Sequence, residues 1–162
     1  MAITVGVLTI SDGAARGERQ DISGENICTL VTQLPEAVIA ERAIIPDEQE
    51  RIAAVLRAWS DERRLNLVLT TGGTGLAPRD VTPEATTSVI ERAAPGIAEA
   101  MRAISLQYTR TAMLSRGVAG VRGHTLIINL PGSPKAVKEC LEYILPVLQH
   151  AINLLTGGPR EH

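Results

Sequence analysis

Apolar residues run almost unbroken through ITVGVLTI at 3 to 10, LNLVLTT at 65 to 71 and TLIINL at 125 to 130. Short runs of this kind, rich in branched residues and closed by polar or Gly/Pro turns, predict strands buried on both faces. A fourth strand, about 37 to 45, carries VIAERAII into Pro46 and Asp47. Between these runs the period changes. In DEQERIAAVLRAWSDE the residues Ile52, Val55, Leu56 and Trp59 recur at helical spacing, which predicts an amphipathic helix. Three more helices are expected in GENICTLVTQL, in PEATTSVIERA and, at about 96 to 107, in GIAEAMRAISLQ. Ser23 and Thr82 are the expected N-caps of the first two, with Pro83 in a first turn. A last helix runs from about Lys135 to Leu155, and Pro146 is expected to kink or split it. The stretch around MLSRGVAGVRG shows no regular period.

Strands alternating with helices imply βαβ units, hence an α/β fold of three layers: a mostly parallel sheet with helices on both faces. No shift in composition marks a linker, so residues 1–162 read as a single domain. In a parallel sheet the chain leaves every strand at the same edge, and open α/β sheets bind ligands there. Four exits should therefore converge: SDG from Ser11, the turn at Asp47, TGGTGLAPRD from 71 to 80, and NLPGSP from 129 to 134.

Composition narrows what such a pocket serves. Hydrophobic residues make up 44% and charged ones 21%, and no apolar run is long enough for a bilayer, so no membrane partner is expected. MAITVGVLTI lacks a basic leader and a small-residue cleavage site, so it reads as a strand rather than a signal peptide. A net charge of -2 and the lack of any Phe argue against nucleic acid, leaving Trp59, Tyr108 and Tyr143 as the only aromatics. Cys28 and Cys140 form no CxxC pair and read as reduced core thiols of a cytoplasmic protein; the three histidines have no metal-ligand spacing.

The glycine loop is the first candidate for chemistry. It lacks the GK[ST] ending of a Walker A loop, and Pro78 stands where a dinucleotide fingerprint needs its last glycine. Backbone without Cβ atoms can still turn N–H groups toward phosphate oxygens, and the helix starting at Pro83 should offer further free N–H groups. The plain alternative is a tight strand-to-helix connection. Asp80 before a helix fits a cap, and Asp47 with Glu50 fits a D-x-x-E capping box. Position weighs against caps alone, because two carboxylates beside a polyphosphate repel it unless a cation intervenes. Mg2+ favours one or two carboxylates together with phosphate oxygens and water. Asp21 is a third candidate acid. Arg79, Arg116 and Lys135 are candidate cations, and Ser11, Ser115 and Ser133 candidate donors, though each type is commonly a solvated charge or a turn residue.

VLTISD, DISG, IIPDE, LTTGGTGLAPRDVTPEAT, PG at 95 and 96, MLSR and GHTLIINLPGSPKAVKECLE, in this order, resemble the molybdopterin adenylyltransferases, the family of bacterial Mog proteins and the G domain of gephyrin. The resemblance runs from Val7 to about Leu155. MoaB-type proteins share the fold and bind pterin without adenylyl transfer, but IIPDE and APRDVTPEAT look more like the transferase branch. What the resemblance implies is transfer of AMP from ATP to the terminal phosphate of molybdopterin, with Mg2+ and release of pyrophosphate. It implies Gly72, Gly73, Thr74, Gly75, Pro131 and Gly132 at the nucleotide, and Asp47 and Asp80 as essential acids near the metal, with Asp21 beside them. Ser11, Ser105, Ser115 and Asn129 match positions on the pterin side. A homotrimer and hand-over to a molybdenum insertion protein are implied as well. Two other readings stay open: a nicotinamide oxidoreductase, from an acid after the second strand, and a scaffold like the gephyrin domain.

Overall fold

The computed structural model describes residues 2–158. Its six strands are β1 (Ile3–Ile10), β2 (Ala37–Ile45), β3 (Leu67–Thr71), β4 (Arg92–Ala93), β5 (Ala119–Arg122) and β6 (Thr125–Leu130). They form one sheet in the order β2-β1-β3-β6-β5-β4. The four longest strands are parallel and adjacent, while β5 and β4 extend the sheet antiparallel beyond β6.

The unbroken apolar runs serve both faces of the sheet. On one, Val5, Val7, Leu67, Leu69, Leu126 and Ile128 pack under α2 (Ile22–Val31), α5 (Pro95–Leu106) and α6 (Pro134–Leu155). On the other, Leu8, Ile10, Val68 and Ile127 meet Ile52, Leu56 and Trp59 of α3 (Gln49–Asp61) and Val89 of α4 (Thr82–Val89). Each fully buried Leu or Ile of this kind contributes about 1.5–3 kcal/mol relative to exposure. Gly6 in β1 lets Trp59 approach; a Cβ there would stand 2.6 Å from the indole ring. A four-residue helix, α1 (Asp12–Ala15), and a 3-10 turn (Arg110–Leu114) complete the chain.

Several local expectations are corrected. α6 is not split at Pro146 but continues through it as one helix. Pro146 and Glu142, whose carbonyl loses its usual donor, are both exposed, so water can satisfy that carbonyl, while Leu141, Ile144, Leu145 and Leu148 hold the opposite side in the core. Asp21, not Ser23, caps α2: its Oδ1 accepts from the Gly24 N–H at 2.9 Å, and Ser23 lies inside the helix with its hydroxyl donating to the Gly132 carbonyl at 2.7 Å. Thr82 does not cap α4 either, because its hydroxyl and N–H both reach back to the glycine loop, to the carbonyls of Gly72 and Gly73. That helix start is therefore spent on holding the loop. Residues 90 to 93, expected as helix, lie beyond α4, and Arg92 and Ala93 pair with β5, which itself lies in the stretch that shows no period.

Candidate functional site

The convergence expected from a parallel sheet occurs. Ser11, Asp47, Gly72, Gly73, Asp80, Gly132 and Ser133, from four separate exits, line one polar cleft of about 450 Å³. Asp21 lines it as well. Asn129, Pro131 and Gly75 face a second cavity of about 250 Å³ beside it, walled by α5, the 3-10 turn and α6, where Ser105 and Ser115 also sit. Ser133 borders both, and the turn 131–133 separates them. Ser11 thus stands apart from the other three residues expected on the pterin side, and Thr74 lines neither space.

The glycine loop is held from three directions. Gly72 and Gly73 have φ of 98° and 69°, the left-handed region where a side chain is strained. A Cβ at Gly72 would collide with the Ile10 carbonyl oxygen, and one at Gly73 with the Thr82 hydroxyl. Farther along, Arg116 donates through Nε to the Gly75 carbonyl and through a terminal nitrogen to the Asp80 carbonyl, both at 2.8 Å, and also pairs with Glu84. Its guanidinium is a brace for residues 75 to 80.

Asp47 does not form the expected capping box. α3 begins after Glu48 with no side-chain cap, and Asp47 instead exchanges bonds with Asp12. The Asp12 N–H donates to Asp47 Oδ2 at 2.9 Å, and the Asp47 N–H donates to Asp12 Oδ1 at 3.0 Å. Arg79 then grips Asp12 with both arms of its fork, at 3.0 and 2.9 Å. Arg79 is thereby a clamp that ties the first strand exit to the third. Asp12 went unnoticed in the sequence, where SDG reads only as a polar turn.

Asp80 accepts from the Ala77 N–H through Oδ2 at 3.0 Å. In both Asp47 and Asp80, then, Oδ2 is bound to a backbone N–H, and Oδ1 accepts no hydrogen bond among the described residues. Burial pushes the Asp47 carboxyl above its usual range; the Asp12 N–H pulls it down, and the nearby Asp12 and Asp80 charges push it up again. Asp12 is held below the usual range, chiefly by its hydrogen bonds from Arg79 and by the Asp47 N–H. No group of three or more His, Cys, Asp or Glu residues suited to a metal occurs among the described residues. The Oδ1 atoms of Asp47 and Asp80 are thus the carboxylate oxygens of the cleft left without a hydrogen-bond donor among the described residues.

Asp21 is more committed than its neighbours. Besides capping α2, it accepts from the Thr9 hydroxyl at 2.7 Å and pairs with Arg42 at 3.4 Å. It shapes the cleft wall with both oxygens engaged. Asn129 is equally occupied: its amide donates to Thr70 and Thr86 at 3.0 Å and its oxygen accepts from Val118 N–H, so it locks β6 rather than offering a free polar group. Ser11 caps α1, and Ser133 caps α6. Lys135 is largely exposed, 4.0 Å from Glu139.

Two further residues enter from the structure alone. Arg19 is the one basic residue among those lining the polar cleft, and it forms no ion pair among the described residues. Glu139 lines the apolar cavity from α6. Cys140 lines it too, buried and shifted upward in pKa by that burial, with its sulfur 3.1 Å from the Ser105 hydroxyl. Cys28 and Cys140 are both free thiols.

Residues 6–150 match a family model described as "Probable molybdopterin binding domain". The chain is 44% identical over 157 residues to a molybdopterin adenylyltransferase of Helicobacter pylori strain J99, covering 96% of this chain and 89% of that protein. It is 46% identical to the molybdenum cofactor synthesis protein cinnamon of Drosophila melanogaster over 95% of its own length, but spans only 26% of that longer protein. Among solved structures, the molybdopterin biosynthesis enzyme MoaB of Thermus thermophilus superposes with a TM-score of 0.91 at 53% identity, over 98% of this chain and 99% of that one.

Proposed function

The chain belongs to the molybdopterin-binding domain family, and from that premise we propose that it is a molybdopterin adenylyltransferase of molybdenum cofactor biosynthesis, moving AMP from ATP to the terminal phosphate of molybdopterin. The observation that carries this reading is the pairing of two adjoining spaces across the turn 131–133. One is polar, with backbone glycines, two half-free aspartates and Arg19; the other, of about 250 Å³, is lined mainly by apolar atoms, as the faces of a heterocycle require.

In the reaction an oxygen of the pterin's terminal phosphate attacks the α-phosphorus of ATP. A new P–O bond forms, the α–β bridging bond breaks, and pyrophosphate leaves. The attacking oxygen is already anionic at neutral pH, so no general base is needed. The work of the protein is alignment and charge compensation. Gly72 and Gly73 let phosphate oxygens approach the backbone closely, and Arg19 supplies a cation at the rim of the cleft. Asp47 and Asp80, each with one oxygen free of hydrogen bonds, would hold Mg2+, which would supply charge compensation for the phosphates. The Asp12–Arg79 clamp fixes Asp47 relative to the loop that carries Asp80.

No helix among the described residues is long and apolar enough to cross a membrane. We place the activity in the cytoplasm, with the adenylated pterin passing to a molybdenum insertion protein. The apolar groove of Pro95, Ile97, Tyr143 and Val147, where Tyr143 and Val147 are more than half exposed, is the surface on which we place the contacts of a homotrimer. A MoaB-type binder without transferase activity is the second reading, favoured by the 53% identity to the Thermus protein. Purified protein with ATP, Mg2+ and molybdopterin separates the two: transfer yields pyrophosphate and adenylated pterin, whereas a binder retains the pterin and leaves ATP intact.

A further inference from the structure

Among the described residues, Glu139 Oε1 is the one buried side-chain polar atom that lacks a hydrogen-bond partner. Its side chain is only 11% exposed and lines the apolar cavity between α5 and α6. The cations nearby do not satisfy it. Lys135 Nζ, one turn earlier, lies 4.0 Å away on a side chain that is 83% exposed, and Arg102 spends a terminal nitrogen on the Gly117 carbonyl at 2.8 Å and, at 3.4 Å, on that of Ser115. Buried acceptors are paired in the great majority of cases, and a carboxylate left without donors costs more than a neutral group. An orphan of this kind inside a ligand-sized cavity is best explained by a donor that arrives with the ligand.

A carboxylate offers two parallel acceptor oxygens and no donor. Its match is a planar group with two adjacent N–H bonds. A pterin carries this on its pyrimidine edge, where the ring N3–H stands beside the 2-amino group. We propose that Glu139 selects the substrate by accepting from that amidine-like edge, while the apolar walls of α5 and α6 cover the ring faces. This rests on the reading that the cavity takes the pterin. Glu139 touches no reacting atom; it sets which heterocycle is held and thereby orients the distant phosphate toward the cleft.

The test exploits the acceptor-only character of the carboxylate. A lumazine has a carbonyl in place of the 2-amino group, so against Glu139 it would set oxygen on oxygen. Against glutamine it would find a donor and an acceptor. Fluorescence titration with 6-hydroxymethylpterin and 6-hydroxymethyllumazine should show the wild-type protein preferring the pterin at least about tenfold, and Glu139→Gln reversing the order. A reversed preference is a gain that misfolding cannot imitate. If AMP transfer to molybdopterin proceeds in the wild-type protein, yet Glu139→Gln keeps the wild-type order or neither protein discriminates, the assignment of Glu139 is overturned and the proposed function stands. If the wild-type protein neither transfers AMP nor binds either heterocycle, both fall.

Discussion

In the polar cleft Asp47 and Asp80 are each bound to a backbone N–H and braced by a clamp, whereas in the apolar cavity Glu139 Oε1 has no hydrogen-bond partner among the described residues and only the exposed Lys135 ammonium 4.0 Å away. The cleft is made of strand exits, where the fold itself delivers main-chain donors and short acids to one rim. The cavity is walled mainly by α5, α6 and the 3-10 turn, whose backbone bonds are largely spent within the helices, so its polar chemistry rests more on single side chains. The difference teaches where each kind of sensitivity lies. Changes in the cleft should act on turnover, and changes in the cavity on which ligand binds.

The largest expected effect lies in the cleft. Asp47→Asn and Asp80→Asn keep an oxygen able to accept from the Asp12 and Ala77 N–H groups, so the fold should survive. Each should lower the rate of pyrophosphate release by about 10²–10³-fold, with molybdopterin affinity little changed. A fully active double variant would remove the acids from the account. Next comes Gly73→Ala, which forces a Cβ into the left-handed region and against Thr82 and Asp47. About 1–3 kcal/mol of strain should appear as a lower thermal midpoint and weaker ATP binding.

Ser105→Ala and Ser115→Ala in the cavity should raise the molybdopterin KM about two- to tenfold, the worth of one hydrogen bond, while leaving ATP affinity alone. An equal loss for both substrates would erase the division between the two spaces. The smallest effect concerns pH. Because the Asp47 pKa is raised, mainly by burial, protons compete with Mg2+ there at higher pH than at an ordinary carboxylate, and calorimetry should find the Mg2+ affinity falling as pH drops through that raised value. The sign for folding is opposite to the usual carboxylate. The charged form of Asp47 costs stability above its raised pKa, and the cost is relieved as pH falls toward the unfolded value near 3.8. Asp12, shifted downward, contributes stability above the unfolded value and loses it as pH falls through its own lowered pKa.

How much was legible in the sequence follows the same division. The runs at β1, β3 and β6 are apolar because both faces are covered, so their parallel pairing and the shared rim could be read from pattern alone. The gathering of Asp47, the glycines and Asp80 follows from that rim. Cap choices were less legible, since Ser23 and Thr82 have the right residue types but tertiary partners at Gly132 and Gly72 claim their hydroxyls. The strands β4 and β5 escaped because two and four residues are too few to show a period. Asp12 was hidden because its partner Asp47 is 35 residues away. Glu139 sits in a helix with an exposed lysine four residues before it, the spacing of an ordinary surface pair, and only packing against α5 reveals its burial.

The cleft and the cavity are taken together as two halves of one site. A crystal structure with Mg2+, molybdopterin and an ATP analogue whose α–β bridge is methylene tests it directly. The pterin ring should lie between α5 and α6 beside Glu139, the triphosphate over Gly72 and Gly73, and the pterin phosphate oxygen about 3–3.5 Å from the α-phosphorus, in line with the bridge. A pterin bound elsewhere, or a nucleotide placed away from Asp47 and Asp80, would contradict this arrangement.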